Sequence, residues 1–275
     1  MVPLRRAVEA QAPVLAPPPT VAVYAPREPF RTRVRHLIPR RRSRIVAAKS
    51  AAELDRLFRR DLIDVVILDV STATDDTWRA AACASEFPSA PFLAVTPYRG
   101  ADGPAIARSA QFGLADVLAA GVDDSVLREA VEAHAFSRRF AAALQVPPSA
   151  LGLDGALQRQ AWSILVGQGG RAIRTDAVAR QVGMTREHLS RRFAAGDGAN
   201  LKRIMDLVRV LAAAELAKNP GYDTSDVAAV LRFASPSHLS TTVTRVTGAR
   251  AESLARLRSG DLIRRFVDGR SRSMG

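Results

Sequence analysis

Cysteine is almost absent from this chain, since Cys83 is the single one in 275 residues. One cysteine cannot form an intrachain disulfide, so a disulfide-stapled extracellular fold is excluded and a reducing compartment is favoured. Long apolar runs are missing too: no stretch approaches the roughly 18 residues of a membrane helix, and no signal-like hydrophobic segment stands near the start. These absences predict a soluble, cytoplasmic protein.

Lysine is also scarce, and arginine supplies 37 of the basic residues (40 in all, less three lysines). A GC-rich genome explains the choice of arginine over lysine, but it does not explain the net charge of +13. Residues 151–275 hold 20 basic and 11 acidic residues, a balance of +9, whereas residues 1–150 hold 20 and 16, a balance of +4. The excess favours a polyanionic partner that contacts mainly the C-terminal half.

The N-terminal half alternates strand and helix patterns from Thr20 onward. Before it, residues 1–19 are rich in alanine and proline, which predicts a disordered leader. The clearest strand is Asp64–Leu68, a continuous apolar run typical of a strand buried on both faces. The other predicted strands are Thr20–Ala25, Arg44–Ala48, Pro91–Val95 and Asp116–Leu118. Strands that alternate with helices in this way predict a doubly wound parallel sheet.

Two short helices separated by a tight turn are predicted at residues 175–193. Gly183 falls at the turn, where a residue that tolerates positive φ is favoured. In the second helix Leu189 and Phe193 share an inward face at i, i+4 spacing. The outward face carries Arg186, Glu187, Ser190 and Arg191. A helix with an apolar back and a polar front of this kind fits the major groove of DNA.

A similar unit returns at residues 223–245. Ser235-Pro236 makes a favourable helix start, because a capping hydroxyl is followed by proline at the first helical position. Leu239 and Val243 then take the inward positions. The outward side carries Ser237, Ser240, Thr241 and Arg245.

One amphipathic helix is predicted between the two units, over residues 201–218. About 18 residues at 1.5 Å rise span roughly 27 Å, which approaches the ~34 Å between successive major grooves on one face of DNA. The two outward helices are therefore predicted to enter adjacent grooves. Asp206 is expected on the exposed side of the connecting helix.

These motifs resemble an AraC/XylS-type DNA-binding domain over residues 155–258. The first unit reads Val178-Ala179-x-x-Val182-Gly183-Met184-Thr185-x-x-His188-Leu189-Ser190-Arg191-x-Phe193. The second reads Val227-Ala228-x-x-Leu231-x-Phe233-Ala234-Ser235-x-x-His238-Leu239-Ser240. The resemblance implies an all-α, seven-helix domain whose two helix-turn-helix units bind DNA.

Three positions depart from the AraC-type pattern. Arg232 stands where the family usually has glycine, which predicts a strained or differently shaped turn. Ala251 replaces a usual proline. The second outward helix has no arginine before Arg245, so the second unit is predicted to contribute more to affinity than to specificity.

The N-terminal half resembles a response-regulator receiver domain. Asp69 stands at the end of the third strand, where receivers carry the phosphorylated aspartate. Thr96 stands at the end of the fourth strand, where they carry a hydroxyl residue. The resemblance implies an α/β fold in which Asp69 is a candidate phosphoacceptor.

Two parts that a working receiver needs are missing. Ala25 and Pro26 replace the acid pair that holds magnesium, and Ala119 or Ala120 replaces the lysine after the fifth strand. Phosphoryl transfer needs a divalent cation to neutralise the incoming oxygens, and one carboxylate without acidic neighbours is a poor magnesium site. The half is therefore predicted to be a pseudo-receiver, used for dimerisation or protein contact.

The remaining reactive residues form no recognisable site. The histidines stand without a second ligand at metal spacing: His36, His134, His188 and His238. Cys83 lies in a predicted helix among alanines, which predicts a buried, inert thiol. Gly167–Gly170 lacks the lysine and hydroxyl pair of a phosphate-binding loop. We expect no catalytic residue, no metal and no cofactor.

Together these features predict a bacterial-type, sequence-specific transcription regulator rather than an enzyme. Its expected partners are double-stranded DNA, a second copy of the chain through the N-terminal domain, and RNA polymerase, but no membrane. Two alternatives stay open: a response regulator switched by phosphorylation of Asp69, and a scaffold protein that binds DNA only nonspecifically. The predicted organisation is a leader (1–19), a receiver-like domain (20–140), a linker (141–152), a double helix-turn-helix domain (153–260) and a basic tail (261–275).

Overall fold

The computed structural model of the protein describes residues 16–194 and 199–271, and the side chains of these residues through Gly269. Most of the predicted leader and the end of the predicted tail lie outside the described residues. The N-terminal strands are β1 Thr20–Tyr24, β2 Arg44–Ala48, β3 Val65–Asp69, β4 Phe92–Thr96 and β5 Asp116–Ala119. The helices between and after them are α1 Glu28–Leu37, α2 Ala51–Arg60, α3 Asp75–Glu86, α4 Gly103–Ala110 and α5 Asp124–His134.

The five strands form one parallel sheet in the order β2-β1-β3-β4-β5. This is the flavodoxin-like arrangement of doubly wound folds, in which the carboxyl ends of the strands form the ligand-binding edge. The central strands β1, β3 and β4 are buried along their whole length, because helices cover both faces. The predicted doubly wound sheet is confirmed.

The C-terminal half is helical. Its elements are α6 Phe136–Ala143, α7 Ala156–Gly167, α8 Thr175–Gln181, α9 Arg186–Ala194, α10 Leu201–Leu216, α11 Thr224–Val230, α12 Pro236–Thr247 and α13 Ser259–Ser271. Within the described residues, seven helices follow the predicted linker, α7 to α13, and the last of them lies mostly in the region predicted as a basic tail. Two 3-10 segments lie at Ser149–Leu151 and Ala251–Arg256.

Leu144 and Leu151 are the buried residues of the stretch predicted as a linker, residues 141–152. Helix α6 begins before it and buries Phe136 and Phe140, and Leu144 follows in the same apolar cluster. The indole nitrogen of Trp162 donates a hydrogen bond to the Leu144 carbonyl at 2.7 Å. The same apolar cluster contains Leu68 and Phe92 of the sheet, so the two halves share one continuous core.

The receiver-like half docks on the second helix-turn-helix unit, where α2 packs against α11. Arg59 of α2 pairs with Asp226 of α11 at 2.7 Å. The buried side chain of Asn219 accepts a hydrogen bond from the Ser89 amide at 2.8 Å. A Cβ at Gly221 would lie 2.6 Å from the Phe87 ring, so glycine permits the close approach of the two halves.

A buried carboxylate joins the halves at a second place. Asp64, which has no exposed surface, accepts hydrogen bonds from the amides of Thr20 at 2.7 Å and Ser137 at 2.8 Å. Its remaining partner is Arg171, whose Nη2 lies 2.7 Å from Asp64 Oδ2. Arg171 follows α7, so this ion pair ties the start of β3 to the helical half.

Replacement of Arg171 by alanine is expected to lower the free energy of unfolding by about 3–5 kcal/mol, because it leaves the buried Asp64 charge without its cation. The measurement is denaturant unfolding of the full chain. Arg174→Ala is the matched control: this arginine is highly exposed and pairs with Asp176 on the surface, an interaction of about 0–1 kcal/mol. Equal losses for the two variants would contradict the role given to Asp64.

Candidate nucleic-acid interface

The first helix-turn-helix unit consists of α8 and α9. Leu189 and Phe193 of α9 are fully buried, and the Phe193 carbonyl accepts a hydrogen bond from Gln158 of α7 at 3.2 Å. The turn between the helices contains Gly183 at φ +68°. The Thr185 hydroxyl accepts from the His188 amide at 3.2 Å, which caps the start of α9.

The outward face of α9 is open to solvent. Its polar side chains are all exposed: Arg186, Glu187, Ser190 and Arg191. Among the described residues no carboxylate forms an ion pair with Arg186 or Arg191. Both guanidinium groups therefore keep their donors available for a base edge or a phosphate.

The second unit consists of α11 and α12. Ser235 caps α12 by accepting from the His238 amide at 3.0 Å, and Leu239 and Val243 are buried. Ser237 and Thr241 are exposed. Ser240 is only partly exposed, so it lies at the edge of this face.

His238 has a local structural role that the sequence did not reveal. Its Nδ1 accepts a hydrogen bond from the Ala234 amide at 3.3 Å, and its ring meets the Phe233 ring edge-on at 5.7 Å between centroids. These contacts fix the approach to α12 and occupy one ring nitrogen.

The turn of the second unit has the same shape as the first although it lacks glycine. Arg232 adopts φ +55°, close to the value at Gly183. The hydrogen bond that closes the turn has the same spacing in both units: Met184 N to Ala179 O at 2.9 Å, and Phe233 N to Ala228 O at 2.8 Å. The expected strain is present, because a side chain in the left-handed region costs about 1–2 kcal/mol.

Arg209 of α10 stabilises this strained turn. Its Nη2 donates to the carbonyls of Leu231 at 3.0 Å and Arg232 at 3.3 Å. Its guanidinium also lies 3.8 Å from the centroid of the Phe233 ring, a favourable cation–π contact. Burial lowers the pKa of Arg209, and the carbonyl and ring contacts offset part of that desolvation.

Asp206 of α10 is buried, and the expectation that it is exposed is wrong. It pairs with Lys202 one turn earlier and with Arg245 of α12, each at 2.9 Å. The buried carboxylate thereby anchors Arg245 to the connecting helix. Sequence periodicity missed this because Arg245 reaches Asp206 from another helix.

Asp69 and Thr96 end β3 and β4, as predicted, and both line a pocket at the carboxyl end of the sheet. Asp69 is buried and accepts hydrogen bonds from the Ser71 amide at 3.0 Å and hydroxyl at 2.5 Å. The Thr96 hydroxyl donates to Asp102 at 3.0 Å. Both residues line a cavity of about 320 Å³.

Two arginines line this cavity. Arg27 lines it and lies 3.4 Å from the Ser71 hydroxyl, and Arg33 lines it while pairing with Asp124. Within the described parts of the chain, no group of three or more His, Cys, Asp or Glu side chains is placed to hold a metal ion. Asp69 is the single carboxylate among the described lining residues, and one carboxylate with an arginine in the same lining disfavours a divalent cation on electrostatic grounds.

The other candidate reactive residues are not brought together. His36 and His134 are exposed on separate helices. Cys83 is buried in α3, as predicted, and burial raises the pKa of its thiol to about 11, which suppresses the reactive thiolate. In the described ranges, no helix combines the length and apolarity needed to span a membrane.

Arg232→Gly is expected to raise the free energy of unfolding by about 0.5–1 kcal/mol, because glycine removes left-handed strain and returns only part of that gain as chain entropy. Chemical denaturation measures the change. Arg250→Gly serves as the control, since Arg250 is exposed at φ −88° and should lose stability with glycine. Destabilisation at position 232 would mean that the arginine side chain itself supports the turn.

A comparison with known protein families supports the assignment of the helical half. Residues 178–256 match the family model of a helix-turn-helix domain, the AraC-type domain expected from the motifs. The match spans both units, from α8 to the 3-10 segment after α12. None of the curated proteins compared with the chain matches it significantly.

Solved structures of response regulators are similar to the chain at low identity. A response regulator from Thermotoga maritima is 23% identical, with 42% of this chain and 96% of that chain covered and a TM-score of 0.37. Full-length FixJ from B. japonicum is 15% identical, with 62% and 84% covered and a TM-score of 0.36. RcsB from Salmonella enterica serovar Typhimurium, bound to promoter rprA, is 14% identical, with 62% and 86% covered and a TM-score of 0.33.

The receiver-like assignment of the N-terminal half rests on its own strand order and parallel pairing. The helical half is assigned by its two equivalent turns and by the family match. The chain thus joins a receiver-like α/β fold to an AraC-type helix-turn-helix domain at residues 178–256.

Proposed function

We propose that the protein is a sequence-specific DNA-binding transcription regulator whose N-terminal half serves as a pseudo-receiver. The main observation in support is that the outward faces of α9 and α12 are exposed. The receiver-like half packs against α11 and leaves both faces open. A helix-turn-helix domain together with a receiver-like domain fits a transcription regulator.

The first unit is proposed to supply most of the sequence specificity. Arg191 lies at the centre of the outward face of α9, and arginine is the commonest bidentate reader of guanine. Glu187 is one turn earlier on the same face, where its carboxylate can accept from the amino group of cytosine. Neither side chain forms an ion pair with another described residue, so neither must break one to meet a base.

The second unit is proposed to contribute more to affinity. Ser237 and Thr241 are short side chains with limited reach. Arg245 has a longer side chain, but its guanidinium pairs with Asp206 near the C-terminal end of α12. A phosphate contact fits this geometry better than a base contact, since phosphates lie at the groove edge.

Helix α10 sets the spacing between the two units. Its 16 residues span about 24 Å at 1.5 Å per residue. The proposed arrangement places α9 and α12 in adjacent major grooves on one face of the duplex, about 10 bp apart.

The pseudo-receiver is proposed to act by protein contact. Val122 is 81% exposed and Val126 is 43% exposed, on and just before α5, and Tyr98 is also exposed on the same side of the sheet's carboxyl edge. Exposed apolar side chains of this kind favour a protein interface. The proposed partners are a second copy of the chain and, at a promoter, RNA polymerase.

Selection of duplexes from a random pool by the full-length chain tests the proposal directly. We expect one enriched motif at the base pairs that α9 faces, with a weaker preference about 10 bp away, where α12 lies. A pool that stays random while binding remains salt-sensitive would favour the scaffold alternative, in which DNA is bound only through its phosphates.

Arg191→Ala should weaken binding to the selected site by about 1–3 kcal/mol and relax the preference at one base pair. The measurement is equilibrium binding to the selected and the random duplex at several salt concentrations. Arg192→Ala is the matched control, because Arg192 is an exposed arginine on the flank of the same helix. If Arg191→Ala weakened both duplexes equally, Arg191 would be a phosphate contact.

Incubation of the protein with a small phosphodonor and magnesium should leave Asp69 unmodified, because Ala25 and Pro26 supply no magnesium ligand. Asp69→Asn should bind the selected duplex like the parent. Trapping followed by mass spectrometry is the measurement, with a working response regulator in the same reaction as positive control. A phosphoaspartate at Asp69 would establish the phosphorylation-responsive alternative.

A further inference from the structure

Helix α13 lies beyond the end of the family match at residue 256. It occupies most of the region predicted as a basic tail. Leu262, Ile263 and Phe266 are buried, and the helix packs against α10 and α12. The described part of the tail is therefore a fixed element of the helical half.

A groove of about 600 Å³ runs between α13, the C-terminal end of α12 and the N-terminal end of α10. Four arginines line it: Arg203, Arg245, Arg264 and Arg265. Two carboxylates also line it, Asp261 and Asp268, which leaves a formal charge of +2. The Asp261 carboxylate accepts from the Arg258 amide at 3.2 Å, so it is partly engaged in capping α13.

The arginines of α13 are available for an anion. Arg264 and Arg265 are exposed, and no carboxylate of the described residues lies within ion-pair distance of either. Arg203 is held in place from behind, since its guanidinium lies 5.1 Å from the Phe266 ring centroid. Unpaired guanidinium groups bind phosphate through paired N–H donors.

The groove continues the outward face of the second recognition helix. Ser237, Thr241 and Arg245 follow one another at i, i+4 spacing and so lie on one side of α12. The groove is lined by Thr244 to Gly248 of the same helix. A duplex that α12 enters therefore has its backbone directed toward the arginines.

We infer that this groove binds the DNA phosphate backbone beside the base pairs that α12 faces, so that α13 is a third DNA-contacting element. The inference rests on the proposed function. It also accounts for the lack of arginine in the first turns of α12, because the positive charge for that half of the site is supplied by α10 and α13.

The test compares Arg264→Ala/Arg265→Ala with Arg40→Ala/Arg41→Ala in the full chain. The control pair lies in the receiver-like half, is exposed, and forms no ion pair with a described residue. For the selected duplex, the slope of the logarithm of the association constant against the logarithm of salt concentration should become less steep by about 1.8 in the α13 pair. This value assumes that two phosphate contacts are lost at roughly 0.9 each. The control pair should leave the slope unchanged.

Footprinting gives an independent readout. The α13 pair should lose backbone protection at the edge of the site next to the second unit and keep the selected motif. Arg264→Lys/Arg265→Lys should restore most of the slope because it keeps both charges. Equal thermal unfolding of parent and variants verifies that the fold is intact.

Two results would overturn the inference and leave the proposed function intact. The first is an unchanged salt slope and footprint for the α13 pair, which is expected if the groove binds an acidic protein segment. The second is an equal loss of salt slope for the control pair. Failure of the parent chain to select any duplex would instead overturn the proposed function.

Discussion

The buried carboxylate of Asp64 is the contact on which the union of the two halves depends. It has no exposed surface, and three partners satisfy it: the amides of Thr20 and Ser137 and the guanidinium of Arg171. A buried charge without such partners would cost several kcal/mol. Because the partners come from β1, α6 and the segment after α7, the ion pair fixes the sheet and the helices in one arrangement.

In the same arrangement, the receiver-like half packs against the second helix-turn-helix unit. Helix α2 packs on α11, and Gly221 donates its amide hydrogen bond to Glu86 at 2.9 Å. The absence of a side chain at Gly221 allows the Phe87 ring to approach. The second helix-turn-helix unit thus packs against α2 and the C-terminal end of α3.

The helical half shows how a tertiary contact permits a local departure from the usual turn chemistry. Arg232 occupies a left-handed position at which glycine is favoured. Arg209 donates to the carbonyls of Leu231 and Arg232 in that turn and lies over the Phe233 ring. The contacts that make the strained turn tolerable come from a helix about 23 residues earlier. The two units consequently have turns of the same shape, although one has glycine and the other has arginine at the left-handed position.

Elements with strong local signals could be predicted from the amino-acid sequence. The apolar run of β3 predicted a buried strand, and Gly183 and Ser235 marked the turn and the cap of the two units, because periodicity and capping depend on neighbours in the chain. The burial of Asp206 and the docking of the two halves depend on contacts between distant parts of the chain. Pairs such as Arg245 with Asp206 join residues far apart in sequence, and local patterns carry no information about which distant groups meet.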